Sequence, residues 1–272
     1  MTVPFQARVA RDLVVVDGPD ATTFLQSLVS QDLDAIAVGA AAHSLLLQPQ
    51  GKLLVDHYTL HVDDDAWWCV CEGGLGDALA SGLNRFKIRV KVDVRQVPVG
   101  ALALRGVRPP ETDAVQVFAV DWNGVEAFDA VGPESAIDAL AEVVDAPMID
   151  ADAYEAARIE AGVPRQGLDT DERTIPQEAG LELVAVSFTK GCFVGQELVC
   201  RIDSRGHVNR HLRRLRAAVG TLQRGDAVSL DGKEIGAITS ASGPVALAML
   251  RREVEPGASV TVGLVDAAVE AL

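Results

Sequence analysis

The chain has 272 residues, 49% of them hydrophobic, so it can bury a large core as one big domain or as two to three small ones. Its formal net charge of −15 at pH 7 argues against general binding to nucleic acids or to anionic membranes, both of which need a basic surface. No apolar run approaches the roughly 20 residues that span a bilayer, and the first residues lack a secretory pattern. We expect a cytoplasmic protein whose partners are small molecules or proteins, with no nucleic acid and no membrane.

Residues 1–97 predict a first α+β unit. A short strand precedes the turn at Gly18-Pro19, and Asp20 is placed to cap a helix that runs to about Ser30. The run Gln48-Pro49-Gln50-Gly51 predicts the turn of a β-hairpin. A strand at 67–71 and a helix with apolar residues at helical spacing follow: Leu75, Leu79, Leu83 and Phe86.

Basic and apolar residues alternate at the end of this unit. Lys87, Arg89 and Lys91 are separated by Ile88 and Val90, which predicts a strand with one basic and one apolar face. Solvent exposure is one explanation of such a face, since edge strands use Lys and Arg as protection. On so acidic a protein, the alternative is a surface that receives the carboxylates of a ligand.

Residues 98–149 predict a second α+β unit, in which Asn123-Gly124 is a strong hairpin signal and Pro133 opens a helix. Residues 150–210 form a return segment that begins with a helix ending at Gly162. Glu160 lies in the last turn of this helix, where the helix dipole disfavours a carboxylate by some tenths of a kcal/mol. A partner such as Arg158 or a bound ligand would explain it. Farther along, we expect Asp169 to be solvated.

The densest chemistry of the chain is Lys190-Gly191-Cys192-Phe193-Val194-Gly195-Gln196-Glu197. The residues 183–188 before it predict a strand, and those from Gln196 predict a helix that ends by Gly206. Two glycines permit a tight turn, and the adjacent helix start together with Lys190 favours the thiolate of Cys192. The alternative is a small buried cysteine in a tight turn.

The other potential metal ligands do not form a recognisable site. Cys69 and Cys71 alternate along a strand and should pack on one face, and no cysteine pair has the two-residue spacing of a zinc site. His207 and His211 lack a third ligand. We therefore expect free thiols, no metal site and no resident iron–sulfur cluster, which would usually need four cysteines.

Residues 211–272 contain five short runs with strand character, separated by turns that contain Gly, such as Asp231-Gly232. Five strands in about 60 residues predict a small antiparallel barrel. The tail from Asp266 to Leu272 is expected to form a helical turn.

The octet from Lys190 to Glu197 resembles the signature of the YgfZ family of folate-binding proteins, relatives of the glycine-cleavage T protein. The resemblance extends to residues 18–27, 158–164 and 176–181. It implies an α+β, T-protein-like fold of several units, with antiparallel sheets and a small C-terminal β-barrel. It also implies a protein that binds tetrahydrofolate, or a one-carbon derivative, and supports assembly or repair of iron–sulfur clusters in client enzymes.

The resemblance also assigns roles to residues. Cys192 is implied to be the key functional thiol, with Lys190 favouring its thiolate. Gln196 and Glu197 would hold the loop or polarise a ligand. In the glycine-cleavage relatives the glutamate of the Arg-x-Glu-x-Gly segment contacts the pterin, which points to Glu160 and its neighbour Arg158. Lys87, Arg89 and Lys91 would receive the glutamate tail of the folate.

Two alternatives remain open at the level of sequence, and with them the question of whether the protein is an enzyme. One is a folate-dependent aminomethyltransferase of the T-protein type. That chemistry needs a carboxylate beside the folate, for which Glu72 and Asp77 are weak matches. The other is a non-catalytic folate-binding scaffold that docks iron–sulfur assembly proteins.

Overall fold

The structure is a computed structural model, and it describes residues 3–272. Its helices are α1 (Ala21–Gln26), α2 (Gly76–Asn84), α3 (Glu134–Val143), α4 (Ala151–Ala161), α5 (Glu182–Ala185) and α6 (Gln196–Arg205), with short 3-10 turns at Leu33–Ala35 and Pro176–Glu178. Its strands are β1 (Phe5–Arg8), β2 (Arg11–Asp17), β3 (Ala41–Leu47), β4 (Leu53–Asp63), β5 (Ala66–Glu72), β6 (Asp93–Val97), β7 (Gly100–Arg105), β8 (Gln116–Ala119), β9 (Ala127–Gly132), β10 (Met148–Ile149), β11 (Arg210–Ala217), β12 (Ala227–Leu230), β13 (Lys233–Ser242), β14 (Val245–Arg251), β15 (Ser259–Val262) and β16 (Val265–Glu270).

The first sheet has the antiparallel strand order β3-β4-β5-β2-β6. Alternate residues of β4 are buried, as expected for a strand with one face on a core. The helices α1 and α2 cover that face, and both the predicted hairpin at 48–51 and the predicted helix α2 are confirmed. Trp67, Leu79 and Leu83 are fully buried there, whereas Phe86 lies beyond the end of α2 and is exposed.

The predicted strand at residues 87–92 is wrong. This stretch is irregular, and the neighbouring strand β6 begins only at Asp93. The stretch instead crosses over Gly18, where an added Cβ would lie 2.3 Å from the carbonyl oxygen of Lys91. The backbone N–H of Lys91 donates to the carboxylate of Asp20 at 2.7 Å, so that carboxylate does not cap α1.

The second sheet has the order β10-β1-β7-β9-β8. Its hairpin turn at Asn123-Gly124 is formed as predicted, with positive φ at both residues, and α3 follows Pro133 as predicted. The strand β1 comes from the segment predicted as the first unit, yet it pairs with β7 and β10. The chain therefore contributes to the second sheet, then completes the first sheet, and then returns.

Residues 211–272 form a closed barrel of six strands, in the order β11-β14-β13-β12-β15-β16. The predicted small antiparallel barrel is confirmed. The predicted helical turn at the tail is wrong, because this segment is the strand β16, which pairs with both β11 and β15 and closes the barrel. Its Ala267 and Val269 alternate into the barrel core.

The return segment places α4, α5 and α6 between the sheets and the barrel. Asp150 caps α4 by accepting from the N–H of Ala153 at 2.8 Å, and Gly162 ends it with φ of 72°. The predicted strand at 183–188 is wrong: α5 stands there, held by a bond of 2.6 Å from the hydroxyl of Ser30 to the carbonyl of Ala185. The predicted helix α6 is confirmed.

The longest helices among residues 3–272 are too short and too polar to cross a bilayer.

Candidate functional site

A cavity of about 630 Å³ lies at the centre of the molecule. Strands β2, β4 and β5 of the first sheet line one side of it, and β7, β8 and β9 of the second sheet line another. The remaining walls come from α4, from the α5 segment and from β11 of the barrel. All three units of the fold thus contribute to this central cavity, which makes it the first candidate for a binding site.

One wall of the central cavity carries a network of ion pairs. Glu72 lies between two guanidinium groups, at 2.6 Å from Arg11 and 3.0 Å from Arg165. Arg11 also contacts Asp129 at 3.1 Å, and Asp129 contacts Arg105 at 2.9 Å. Burial opposes charge on Arg11, but Glu72 and Asp129 raise its pKa, and against burial the two arginines lower the pKa of Asp129. Three arginines thus share two carboxylates, and each of these charged groups has an opposite charge within 3.1 Å.

Arg158 also lines the central cavity, but its guanidinium is fully occupied. It contacts Glu155 at 2.5 Å, Asp169 at 2.8 Å and the hydroxyl of Ser240 at 2.8 Å. Asp169 is buried rather than solvated, contrary to the prediction, and it also accepts a bond from Thr239 of the barrel. Arg158 thus ties α4 to the return segment and to the barrel.

A second polar group in the central cavity was missed at the level of sequence. His43 on β3 lies 2.5 Å from Asp56 on β4 and stacks on Tyr58 with 4.5 Å between ring centroids. Burial opposes protonation of His43, but the charge of Asp56 raises its pKa overall. Burial lowers the pKa of the neighbouring His57 to about 4. The only signal in the sequence is the presence of polar residues within otherwise apolar strands.

Several buried polar atoms around the central cavity find no partner. An unpaired buried donor or acceptor costs about 1–3 kcal/mol, so a folded protein rarely collects them in one place without a ligand or water to satisfy them. Six lining residues contribute such atoms within the described chain: His43 Nδ1, His57 Nε2, Arg105 Nε, Gln177 Oε1, Glu182 Oε2 and Arg213 Nε. The set includes both donors and acceptors, as a polar heterocyclic ligand would need.

The structure does not bring the predicted folate contacts together. Arg158 lines the central cavity, but Glu160 is not among its lining residues. The carboxylate of Glu160 is exposed and pairs with Arg216 at 2.6 Å. The basic residues of the predicted strand also lie outside the lining, and Lys87 is 3.5 Å from Asp93. Of the two weaker candidates for a catalytic carboxylate, Glu72 lines the cavity and Asp77 does not.

Lys190 of the predicted signature is buried and engaged elsewhere. Its ammonium donates to three carbonyl oxygens, that of the last residue of α1, Gln26, at 2.7 Å, and those of Val29 at 2.8 Å and Gln31 at 2.7 Å. Burial lowers the pKa of this amine to about 8, and the charges of nearby carboxylates oppose the effect. Cys192 lies on the loop that follows Lys190, and the hydrogen bonds of Lys190 attach this loop to the end of α1.

The second glycine of the signature fixes the other end of this loop. Gly195 has φ of 80°, and an added Cβ would lie 2.5 Å from the carbonyl oxygen of Gln48. Its own carbonyl oxygen would lie 2.9 Å from a Cβ added at Gly51, so the two turns are in direct backbone contact. Only glycine combines this φ with this approach. The start of α6 is thereby docked on the β3–β4 turn.

Between these two attachments, the thiol of Cys192 is displayed on the surface. Cys192 is exposed and does not line the central cavity. A Cβ added at Gly191 would meet no atom within 4 Å, so approach to the thiol is open. Glu197 is exposed, and burial raises the pKa of the Cys200 thiol. The cavity and the exposed thiol are thus separate features of the molecule.

Groups of three or more His, Cys, Asp or Glu side chains in an arrangement that could hold a metal ion are absent from residues 3–272.

Two family models and several known proteins are similar to this chain. Residues 12–129 match the model of the GCVT N-terminal domain, and residues 211–272 match that of the CAF17 C-terminal beta-barrel domain. An aminomethyltransferase from Bordetella petrii is 28% identical, over 95% of this chain and 80% of the relative. A mitochondrial iron-sulfur cluster assembly factor IBA57 homolog from Phaeosphaeria nodorum is 26% identical, over 77% of this chain and 54% of the relative.

The crystal structure of the glycine cleavage system aminomethyltransferase T from Bartonella henselae superposes with a TM-score of 0.87 at 21% identity. It covers 100% of this chain, and this chain covers 86% of it. The predicted α+β fold, with antiparallel sheets and a C-terminal barrel, is therefore confirmed. The chain has the fold of an aminomethyltransferase T protein, with a GCVT N-terminal domain at one end and a CAF17-type β-barrel at the other.

Proposed function

We propose that this protein binds tetrahydrofolate, or a one-carbon derivative, in the central cavity and supports assembly or repair of iron–sulfur clusters in client proteins. Cys192 is the thiol that acts on those clients. The observation that carries the proposal is the central cavity itself, with its unpaired buried polar atoms, in a chain that matches both the GCVT and the CAF17 models.

The cavity suits a reduced pterin. The amino-pyrimidine edge of a pterin presents N–H donors beside ring acceptors, and the lining residues Gln177 and Glu182 each carry a buried side-chain oxygen without a hydrogen-bond partner. Tyr58, Phe118 and Trp122 line the same space and supply flat apolar surface for the rings. Gln177 and Glu182 therefore replace Glu160 as our first candidates for reading the pterin, because Glu160 would have to leave Arg216 to reach a ligand.

The thiol and the folate then have different tasks. Cys192 does not line the cavity, so it acts on a group brought by a partner rather than on the bound folate. Lys190 and Gly195 hold the two ends of its loop, and this rigid support keeps the thiol in one position. A thiol in such a loop can attack an electrophilic sulfur or bind a metal that a partner carries.

The folate half is tested by titration of tetrahydrofolate under oxygen-free conditions, followed by tryptophan fluorescence, since Trp122 lines the cavity. We expect saturable binding, weakened about tenfold by Glu182→Gln, because a pairing with a buried carboxylate is worth about 1.5–3 kcal/mol. Glu160→Gln is the matched control and should bind normally. Absence of binding to wild type would remove folate from the proposal, and loss of binding in the control alone would return the pterin contact to Glu160.

The iron–sulfur half is tested by complementation of a strain that lacks its own protein of this kind, with the activity of an iron–sulfur enzyme as the readout. Cys192→Ser should bind folate like wild type and fail to restore the enzyme. Cys200→Ser, which removes the neighbouring thiol, should restore it. Full rescue by Cys192→Ser would refute the role of that thiol.

The aminomethyltransferase alternative is favoured by the fold and by the relatives of that name. Of the two carboxylates considered for that chemistry, Glu72 lines the cavity, where it is held between Arg11 and Arg165. We therefore expect no methylene-tetrahydrofolate from a purified aminomethyl-lipoyl carrier protein. The scaffold alternative would be favoured if an assembly protein still co-purified with the Cys192→Ser variant.

A further inference from the structure

The barrel strand that lines the central cavity is rich in arginine. In its eight residues, β11 carries four arginines, Arg210, Arg213, Arg214 and Arg216. Three of the four lie in ion pairs. Arg210 contacts Glu178 at 2.8 Å, and the last two arginines of the strand hold Glu270 at 2.7 and 3.0 Å. Within residues 3–272, Arg213 makes neither an ion pair nor a side-chain hydrogen bond.

Arg213 also departs from the polar pattern of its strand. Side chains alternate between the two faces of a strand, so Arg213 shares a face with Leu215 and Ala217, which lie in the barrel core. The three paired arginines stand on the opposite face. On the face of Arg213, the strand passes from the barrel core to the central cavity, whose lining includes Arg213 and His211. The unpaired guanidinium is therefore on the cavity side of β11.

The guanidinium of Arg213 loses water without gaining a counter-charge. Its Nε is buried and has no hydrogen-bond partner. Burial lowers the pKa of Arg213 below its usual value, and the charge of Glu255, which does not line the cavity, offsets this only in part. Each of the other arginines that line the cavity has a carboxylate partner: Arg8, Arg11, Arg105, Arg158 and Arg165. A buried cation without a partner is costly for the fold, which favours a role in binding an anion.

The same cavity also leaves acceptors unsatisfied. Gln177 Oε1 and Glu182 Oε2 are buried without hydrogen-bond partners, and neither bonds to Arg213. A ligand that satisfies all three side chains carries N–H donors in one part and an anionic group in another. The cavity volume of about 630 Å³ is in the range of about 300–1,000 Å³ that is typical of sites enclosing a whole small molecule, so one ligand can reach them all.

We infer that Arg213 binds a carboxylate of the ligand in the central cavity, so that the site selects molecules with N–H donors at one end and an acid at the other. A guanidinium suits this task because it donates two parallel hydrogen bonds to one carboxylate. The glutamate group of tetrahydrofolate supplies such an acid. Arg213 thus takes the role expected of Lys87, Arg89 and Lys91, which lie outside the cavity lining. This inference rests on the proposed binding of folate and names a residue that sets its specificity.

The test compares tetrahydrofolate with methyltetrahydropterin, which has the same reduced ring system and no carboxylate. Both are titrated without oxygen into the whole chain, as wild type and as Arg213→Gln, and tryptophan fluorescence is followed because Trp122 lines the cavity. Arg213→Gln should bind tetrahydrofolate about tenfold more weakly or worse, because a charge-assisted bond to the carboxylate is lost. It should bind methyltetrahydropterin like wild type. Arg213→Lys keeps the charge without the planar fork and should have an intermediate affinity for tetrahydrofolate.

Arg214→Gln is the matched control. Arg214 is the next residue of β11 and does not line the cavity, and it donates to Glu270 at 2.7 Å and to the carbonyl of Glu160 at 2.6 Å. This variant should have a lower melting temperature and an unchanged affinity for tetrahydrofolate. Arg213→Gln should keep or raise the melting temperature, because Arg213 bonds to no group within residues 3–272. A purely structural role of Arg213 predicts the opposite result for that variant.

Equal affinities of wild type and Arg213→Gln for tetrahydrofolate would overturn the inference. An equal loss for both ligands would also overturn it, by assigning Arg213 to the ring instead of the acid. Failure of wild type to bind tetrahydrofolate would instead remove the proposed function. In that case the probe is p-aminobenzoylglutamate, which carries the acid without the ring. A rise in the melting temperature of wild type that Arg213→Gln lacks would support the carboxylate site, and no rise would overturn it.

Discussion

The ammonium of Lys190 donates a buried hydrogen bond of 2.8 Å to the carbonyl of Val29, across 161 positions of the chain. With its bonds to Gln26 and Gln31, it satisfies backbone oxygens at and just after the end of α1. A positive charge near a helix C-terminus also interacts favourably with the helix dipole. Lys190 therefore has a structural role: it attaches the loop that carries Cys192 to the end of α1.

Lys190→Met should lower the free energy of unfolding by about 3 kcal/mol, because it leaves buried carbonyls unpaired. Urea unfolding followed by circular dichroism measures the loss. Lys87→Met is the control, since Lys87 makes only a partly exposed ion pair with Asp93 and should cost less than about 1 kcal/mol. Equal effects of the two substitutions would contradict the structural role of Lys190.

The two glycines that flank Cys192 should respond in opposite ways to the same change. Gly195→Ala should destabilise the protein by about 2 kcal/mol or more, because it combines a positive φ with a contact of 2.5 Å to Gln48. Gly191→Ala should leave the melting temperature nearly unchanged, because no atom lies within 4 Å of its added Cβ. Differential scanning calorimetry compares them, and a large loss in Gly191→Ala would show that this loop is packed differently.

The buried ion pair between Arg158 and Asp169 predicts a large effect of removing one partner. Asp169→Asn should cost about 3–5 kcal/mol, since it leaves the buried guanidinium of Arg158 short of a counter-charge. Asp138→Asn, which breaks an exposed pair with Arg8, should cost less than about 1 kcal/mol. Denaturant unfolding of both variants checks the difference, and comparable small losses would argue against burial of the first pair.

His57 predicts acid sensitivity of the fold. Burial lowers its pKa to about 4 from the ordinary value of 6.5. Between these values the unfolded chain binds the proton and the folded chain does not, so stability falls as pH decreases through this window, by about 3 kcal/mol in all. His57→Leu should lose less stability on acidification than wild type, in urea unfolding across this pH range.

The neighbouring His43 acts in the opposite sense. Its pKa is raised by Asp56 despite burial, so its contribution to stability is present below pH 6.5 and is lost as the pH rises above the folded-state pKa.

The control for the His57→Leu experiment is His207→Gln, which changes an exposed histidine and should keep the acid sensitivity of wild type. An unchanged acid response in His57→Leu would contradict the assignment to His57.

Local signals in the sequence were sufficient at several turns, but not at Asp20, whose carboxylate accepts from the N–H of Lys91 instead of capping α1. The hairpins at 48–51 and Asn123-Gly124, and the end of α4 at Gly162, are examples. Their conformations depend on residues within a few positions, which a sequence displays directly. The strand-like patterns at 87–92 and 183–188 failed because alternation alone does not supply a neighbouring strand, and other backbone partners are bonded there instead.

The candidate site was only partly predictable for the same reason. The octet around Cys192 is contiguous, so the sequence could single it out, but the roles of Lys190 and Gly195 depend on α1 and on the β3–β4 turn. Asp169 was predicted to be solvated because other acidic residues lie next to it in the sequence. Its partners Arg158 and Thr239 lie on other elements of the fold, so the sequence does not show these contacts. The polar residues of the central cavity come from both sheets and the barrel, and only the assembled fold brings them together.

The strand β1 has a consequence for the order in which the molecule assembles. Its partners are β7, whose last residue is Arg105, and β10, which ends at Ile149. Residues 5–8 therefore stay unpaired until β7 has been made, and their pairing with β10 waits until more than half of the chain is made. The first sheet needs nothing beyond β6 and can form while synthesis continues. Domains made early fold first, and late pairing of distant segments is slow. The second sheet, and with it the walls of the cavity, is therefore completed only after the first sheet has a nearly native structure.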